Sequence, residues 1–357
     1  MHETISQQEL EFVVEMRKRM LMSLPDNNRS VEKLALSFGI EDKTKIKELT
    51  EFAIVMVARE IANNKSQSFS TAYKKIVELY NTQINLSHRT SQSMLLQQYS
   101  TPAPISYLAG LFCYLDYQDK RKVGNFGCPS IYEPSAGNGL LTIAFNPLLS
   151  RIFVNEIDDL RNLILATQGR TFTRVSKDDA TIEKPKYLRA FDIVITNPPF
   201  GSLDKPILFD DYPISALEHL MCIRALDCMK DNGSAALIIG GHTVWDNMGR
   251  IQAGRNRIFF NYLYSHYIVE DVINIDGQKL YSRQGTAFNV RLILISGRKS
   301  KVEGAAPLFN PNIDKEVHTH EALFNRVLNM NKIETAAPPK QELIPIFLKL
   351  FNYITKP

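Results

Sequence analysis

Apolar residues at Ile46, Leu49, Phe52 and Met56 recur every three to four positions, which predicts an amphipathic helix over residues 45–63. Weaker forms of the same spacing cover 7–22, 31–38 and 72–84. No strand-like alternation interrupts them, so residues 1–95 read as a helical N-terminal domain. From about residue 129 the texture changes, and short apolar runs alternate with helical segments, as in a parallel sheet wound with crossover helices. Strands are predicted near 130–134, 151–156, 171–176, 191–196, 234–240, 268–275 and 287–296, with helices beginning near Leu140 and over 214–229. The last two strands are separated by too few residues for a crossover helix, so one of them should run antiparallel. Beyond residue 300 the chain is richer in turn residues. It passes through a linker, Ala336-Ala337-Pro338-Pro339, to an apolar stretch at 343–354 expected to pack back as a helix. No internal repeat or low-complexity segment is present.

Composition narrows the class. A chain of 357 residues with 44% hydrophobic content can bury a sizeable core and suggests one large domain with a smaller companion. The longest apolar runs, 235–239 and 292–295, fall far short of the roughly 20 residues a membrane span needs, and the first residues lack a basic-then-apolar leader. A cytoplasmic protein with no membrane partner is expected. Cys113, Cys128, Cys222 and Cys228 show no C-x-x-C pairing and no histidine at ligand spacing, so buried free thiols are expected and no metal site. The formal charge of +4 is too small to argue for nucleic acid alone. Local basic clusters stand at Lys120-Arg121-Lys122, at Arg250 with Arg255 and Arg257, and at Arg298-Lys299 with Lys301.

Ligands of open α/β sheets bind beyond the carboxyl ends of the strands, which directs attention to each strand's exit. The first reads Glu133-Pro134-Ser135-Ala136-Gly137-Asn138-Gly139, with glycines that permit a tight turn and close approach to a ligand. The second ends in Asn155-Glu156-Ile157-Asp158, where an acidic side chain is positioned to accept ribose hydroxyls. The third carries Asp178-Asp179. The fourth, Thr196-Asn197-Pro198-Pro199-Phe200, ends a core strand in an amide, two prolines and a ring; prolines cannot donate to a ladder, so the strand must stop there.

The combination EPSAGNG, NEID, DDA and NPPF resembles the S-adenosylmethionine-dependent amino-methyltransferases, most closely the N6-adenine DNA methyltransferases. Gln98-Tyr99-Ser100-Thr101-Pro102 resembles the segment preceding the first strand in the gamma class and in modification subunits of type I restriction systems. The resemblance spans about residues 97–299. It implies a Rossmann-like class I methyltransferase domain over 96–300, a mostly parallel seven-stranded sheet with one antiparallel strand, and S-adenosyl-L-methionine as cofactor. Thr101, Pro102 and the turn of Glu133, Ser135, Gly137, Asn138 and Gly139 would hold the cofactor's methionine portion. Glu156 would take its ribose hydroxyls and Asp179 its adenine amine, with Asp178 as the alternative for that last role.

It further implies that Asn197 and Pro198 offer two acceptor oxygens to a target amine, that Pro198 and Pro199 rigidify the turn, and that Phe200 stacks on a flipped base. DNA is the implied partner, with a specificity or restriction subunit beside it. The same turn also occurs in methyltransferases of release-factor glutamine amides and of RNA bases, and a DNA-binding or assembly module with a decayed pocket is a third reading. His242, at the end of the fifth strand, is a candidate to face the pocket or a satisfied structural residue. The segment 243–257 is a candidate for contact with phosphate or a solvated surface loop, and 276–286 for reaching nucleic acid or merely closing a hairpin. Only the tail of 301–357 follows the methyltransferase-like region, short for target recognition, so specificity would come from the N-terminal helices, a partner or a part outside this chain.

Overall fold

The computed structural model describes residues 4–85, 100–121, 127–284, 287–311 and 314–330. Gln98, Tyr99, the 336–339 linker and the apolar 343–354 stretch lie outside the described residues. The chain opens with α1 (Gln7–Leu21), α2 (Asn28–Ser37), α3 (Lys43–Ala62) and α4 (Phe69–Thr82), matching the four predicted helices. Each start is set by a short polar side chain that accepts a first-turn amide: Ser6, Asn27, Asp42 and Ser68.

A fifth helix, α5 (Ala103–Lys120), is absent from the sequence reading. Nearly every residue of its first three turns is buried, so it has no polar stripe to create a period, and apolar content on all sides hides a helix from pattern analysis. Gly110 lets it lie close to the turn after the first strand, since a Cβ there would stand 2.7 Å from the Ala144 Cβ.

The strands and helices then alternate: β1 (Ser130–Glu133), β2 (Arg151–Asn155), α6 (Asp159–Thr167), β3 (Arg174–Ser176) and β4 (Phe191–Thr196). After them come a hairpin of β5 (Ser202–Phe209) and β6 (Tyr212–Ala216), then α7 (Leu217–Asp227), β7 (Met229–Gly240), α8 (Arg255–His266), β8 (Tyr267–Ile275), the one-turn α9 (Gly277–Leu280), β9 (Val290–Arg298) and α10 (His320–Met330). The seven-stranded sheet has the order β3-β2-β1-β4-β7-β9-β8, and β9 is antiparallel to both of its neighbours. This is the expected Rossmann-like architecture with its one reversed strand.

Four details depart from the sequence reading. Leu140 begins only a 3-10 turn, Leu140–Thr142, not a helix. A second such turn occupies 169–171, so β3 starts at Arg174 rather than 171. The β5–β6 hairpin was unforeseen, because its two-residue turn is Asp210-Asp211 rather than a glycine pair; Asp210 takes the left-handed φ of 48° that the turn requires. Finally, Cys128 is exposed, whereas the other three thiols are buried as expected.

Alternation along the central strands divides the core. Ile193 and Ile195 of β4 face a cluster with α3, α4 and α5, while Val194 between them faces a second cluster with α7 and α8. The helical region joins the sheet through buried polar contacts as well. The Arg161 guanidinium of α6 donates to both carboxylate oxygens of Glu48 on α3, at 3.0 and 3.1 Å, and Asn138 Nδ2 donates to Glu48 Oε2 at 2.7 Å. Burial would raise the Glu48 carboxyl, but Arg161 beside it leaves it lowered. Arg59 donates to the Thr142 carbonyl and hydroxyl and to the Gly139 carbonyl, at 2.8–3.3 Å.

Because each partner of the Glu48–Arg161 pair is only 6% exposed, removing one strands the other's charge away from water. Glu48→Ala or Arg161→Ala is expected to lower stability by about 3–5 kcal/mol in denaturant unfolding. A Glu48→Met/Arg161→Met double variant should recover most of that loss.

Candidate active site

The order of the strands reverses between β1 and β4: the chain runs outward through β2 and β3, then returns to start β4 on the other side of β1. A crevice opens at such a switch point because the two connections leave in opposite directions. Here it is a cavity of about 210 Å³, more than ten times the volume that one water needs. Residues from all four predicted exits line it: Glu133 to Asn138, Asn155 to Ile157, Asp178 to Thr181 and Asn197 to Phe200. Thr101 lines it from the chain entering α5.

Hydrogen bonds lace the exits into one rim. Asn155 Nδ2 donates to the carbonyls of Pro134 and Asp178, at 2.9 and 2.8 Å, spanning the ends of β1, β2 and β3. The hydroxyls of Ser135 and Thr196 meet at 2.9 Å and tie the end of β1 to that of β4. Glu156 accepts from the backbone amides of Gly137, at 2.7 Å, and Asp158, at 2.9 Å. Gly137 sits at φ 55° with open space beside it, the left-handed conformation in which glycine costs least.

Of the predicted site residues, Pro102 and Gly139 do not face the cavity. Pro102 is the buried N-cap of α5, whose first turn has no side-chain cap. Gly139, at φ 93°, leaves room for Phe172, which a Cβ would approach to 3.0 Å. Asp178 and Asp179 both line the cavity and both are exposed. Asp178 pairs with Lys184 at 3.3 Å, and Asp179 accepts from the Thr181 amide and hydroxyl at 2.8 and 2.7 Å.

The turn after β4 is held on three sides. Asn197 Nδ2 donates to Thr101 Oγ1 at 2.8 Å and to the Tyr281 hydroxyl at 3.1 Å, which fixes the plane of the amide. The Phe200 ring lies against Gly240, where a Cβ would come within 3.1–3.2 Å of three ring carbons. The Gly201 amide donates to Glu218 at 3.0 Å and its carbonyl accepts from the Leu217 amide at 3.0 Å, closing the neck of the β5–β6 hairpin immediately behind the turn.

Several residues of the site carry no local sequence signature. Tyr281 belongs to the segment 276–286, of which residues 276–284 contain α9 and pack on α4: the Arg283 amide donates to the Tyr80 hydroxyl at 3.2 Å and its guanidinium to the Gln83 carbonyl at 2.8 Å. Burial pushes the Tyr281 phenol well up, so it stays protonated. Glu51 and Arg161 reach the cavity from α3 and α6, and Phe288, 58% exposed, stands at its mouth. His242 does not line the cavity; its Nε2 lies 3.0 Å from the Ile275 carbonyl, which makes it a structural residue.

The basic clusters are largely spent within the fold. Arg121 pairs with Asp192 and Arg298 with Asp231, at the rim of the sheet opposite the cavity, and Lys120 pairs with Asp116. In the segment 243–257, Arg250 and Arg257 both pair with Asp246, and Trp245 packs against Phe309. Asp276, Glu316 and His318 approach one another within 4.8 Å outside the cavity; Asp276 caps α9 and pairs with His318 at 2.8 Å.

The cavity's electrostatics are one-sided. Glu133 Oε2, both oxygens of Glu51 and Asn138 Oδ1 are buried acceptors with no hydrogen-bond partner. Burial, and then the neighbouring Glu156 charge, raises the Glu133 carboxyl well above the usual range, against a smaller pull from Arg59. Burial likewise raises Glu156. Such walls suit a ligand that brings donors and positive charge.

The raised Glu133 carboxyl makes a checkable statement about stability. An acid harder to ionise when folded weakens the fold as pH rises above its unfolded value of about 4.3, and below that value the penalty is absent. Glu133→Gln should therefore melt at a higher temperature than the native protein at pH 8, with the difference closing by pH 4.

No family model and no curated protein matches this sequence. Among solved structures, the chain is similar to the type I restriction-modification system methyltransferase subunit from Streptococcus thermophilus, at 11% identity over 91% of this chain and 88% of that one, with a TM-score of 0.48. It is similar to a Listeria monocytogenes protein assigned as a class I S-adenosylmethionine-dependent methyltransferase, at 15% identity over 91% and 99%, TM-score 0.47. It also resembles a type I restriction enzyme modification subunit from Vibrio vulnificus, at 14% identity over 90% and 69%, TM-score 0.45. At these scores the ground for the fold is the chain's own strand order.

Proposed function

We propose that this protein transfers a methyl group from S-adenosylmethionine to an amine, and that the amine is N6 of an adenine in DNA turned out of the helix into the cavity. The observation that carries the reading is the convergence of the four strand exits and Thr101 on one acceptor-rich cavity at the switch point of the sheet. The residues there fit the donor. Its ribose hydroxyls match Glu156 beside the glycine turn, and its amino-acid end matches Glu133 and Thr101. Bound there, the cofactor would supply an electrophilic methyl group on a sulfonium.

The chain's own contribution is to the nucleophile. An adenine amine is a weak nucleophile because its lone pair is delocalised into the ring. Acceptors that hold its hydrogens out of the ring plane favour a pyramidal nitrogen and stabilise the positive charge that grows on it. The Asn197 amide oxygen and the Pro198 carbonyl are proposed for that task, and the prolines add no donors to compete. Thr101 and Tyr281 hold the Asn197 amide by its nitrogen end, which orients its oxygen end in advance. Phe200, braced on the bare backbone of Gly240, offers a face on which a planar base can stack.

The test offers methyl-labelled donor with genomic DNA, total RNA and a release factor in separate reactions. The expected result is label in DNA at adenine N6, reduced about a thousandfold by Asn197→Ala while donor affinity stays within about threefold. Label in RNA or in a glutamine amide would replace the substrate, and failure of the protein to bind the donor would remove the activity altogether.

A further inference from the structure

Glu51 lies outside the four strand exits, on α3 of the helical region, yet it forms part of the cavity wall. It is 1% exposed, and neither carboxyl oxygen has a hydrogen-bond partner. The guanidinium beside it is already committed. Arg161, which also lines the cavity, gives its fork to Glu48, and Glu48 takes a third bond from Asn138. Burial, followed by the Glu48 charge, makes Glu51 harder to ionise; Arg161, the Ser100 hydroxyl and Lys47 oppose this only in part. A buried carboxyl without a partner costs stability, and at a cavity wall that cost is offset when a ligand arrives with a cation that donates hydrogen bonds.

We infer that Glu51 binds the α-ammonium group of the cofactor's amino-acid end, so that the N-terminal helices form part of the cofactor site. The inference rests on the reading of the cavity given under Proposed function. Three features select the ammonium over the donor's other groups. Glu51 lines the cavity with Ser100 and Thr101, whose hydroxyls suit the carboxylate of the same amino-acid end. The ribose has its own acceptor in Glu156. The sulfonium must face the Asn197 turn, whose partners are Thr101 and Tyr281 rather than Glu51.

Calorimetric titration of the full chain and of Glu51→Gln with three ligands tests the assignment. S-adenosylmethionine carries both cations, S-adenosylhomocysteine keeps only the ammonium, and 5′-methylthioadenosine has neither. The expected result is that Glu51→Gln weakens the first two by about tenfold or more and leaves the third within about twofold, while Glu51→Asp, which keeps the charge, recovers part of the loss. Equal losses for all three ligands, or none for the first two, would overturn the assignment. So would a loss confined to S-adenosylmethionine, which would move the carboxylate to the sulfonium. Each of those outcomes leaves the methyl-donor reading standing, whereas a native chain that binds none of the three removes both.

Discussion

Where α3 crosses α6, a carboxylate and a guanidinium meet out of reach of water, and neither tolerates the loss of the other. Glu48 and Arg161 thereby fix the distance and angle between the helical region and the edge of the sheet, and Asn138 draws the glycine turn after β1 into the same network. Apolar packing alone is forgiving about sliding, because burial is non-directional. A bidentate fork is not, so the pair converts loose adhesion of helices to a sheet into one registered arrangement. Arg59 repeats the device one turn of the ligand loop further on, holding the carbonyls of Gly139 and Thr142.

That registration explains why a helical region contributes to a cavity whose logic belongs to the sheet. The reversal of strand order opens the crevice, and Asn155 and the Ser135–Thr196 pair hold its lip. The strand ends close only part of it, and Glu51 of α3, Arg161 of α6, Leu217 and Met221 of α7 and Tyr281 add to its wall. Acceptors accumulate on these walls without matching donors, an arrangement whose cost in stability a suitable guest offsets.

Much of this was legible in the sequence, and the reasons are physical. Strands that cross the middle of a sheet are unbroken apolar runs, so β1, β4, β7 and β9 stood out. Ligand loops at strand exits need glycine, proline and acidic residues in fixed order, so the turns at 133–139 and 197–200 announced themselves. What stayed hidden has no local signature. α5 lacks a polar stripe because it is buried on nearly every side. Glu51 and Tyr281 lie far from the motifs along the chain, Arg161 stands three residues past the NEID stretch with nothing to mark it, and only the docking of α3, α6 and α9 brings them together. The Asp210-Asp211 turn hid β5 and β6 because one aspartate does what glycine usually does.

The hairpin itself leaves the rim at Gly201 and returns at Leu217, with the two joined by a backbone bond and a carboxylate across the neck. Residues 202–216 form a spur set off from the edge it grows out of. The exposed strand β5 can be rewritten without displacing Pro199, whereas the tip and β6 are anchored to the body by the Asp210–His266 pair and the buried Ile214. A fold with such a closed neck can change what lies beside its cavity while leaving the cavity as it was.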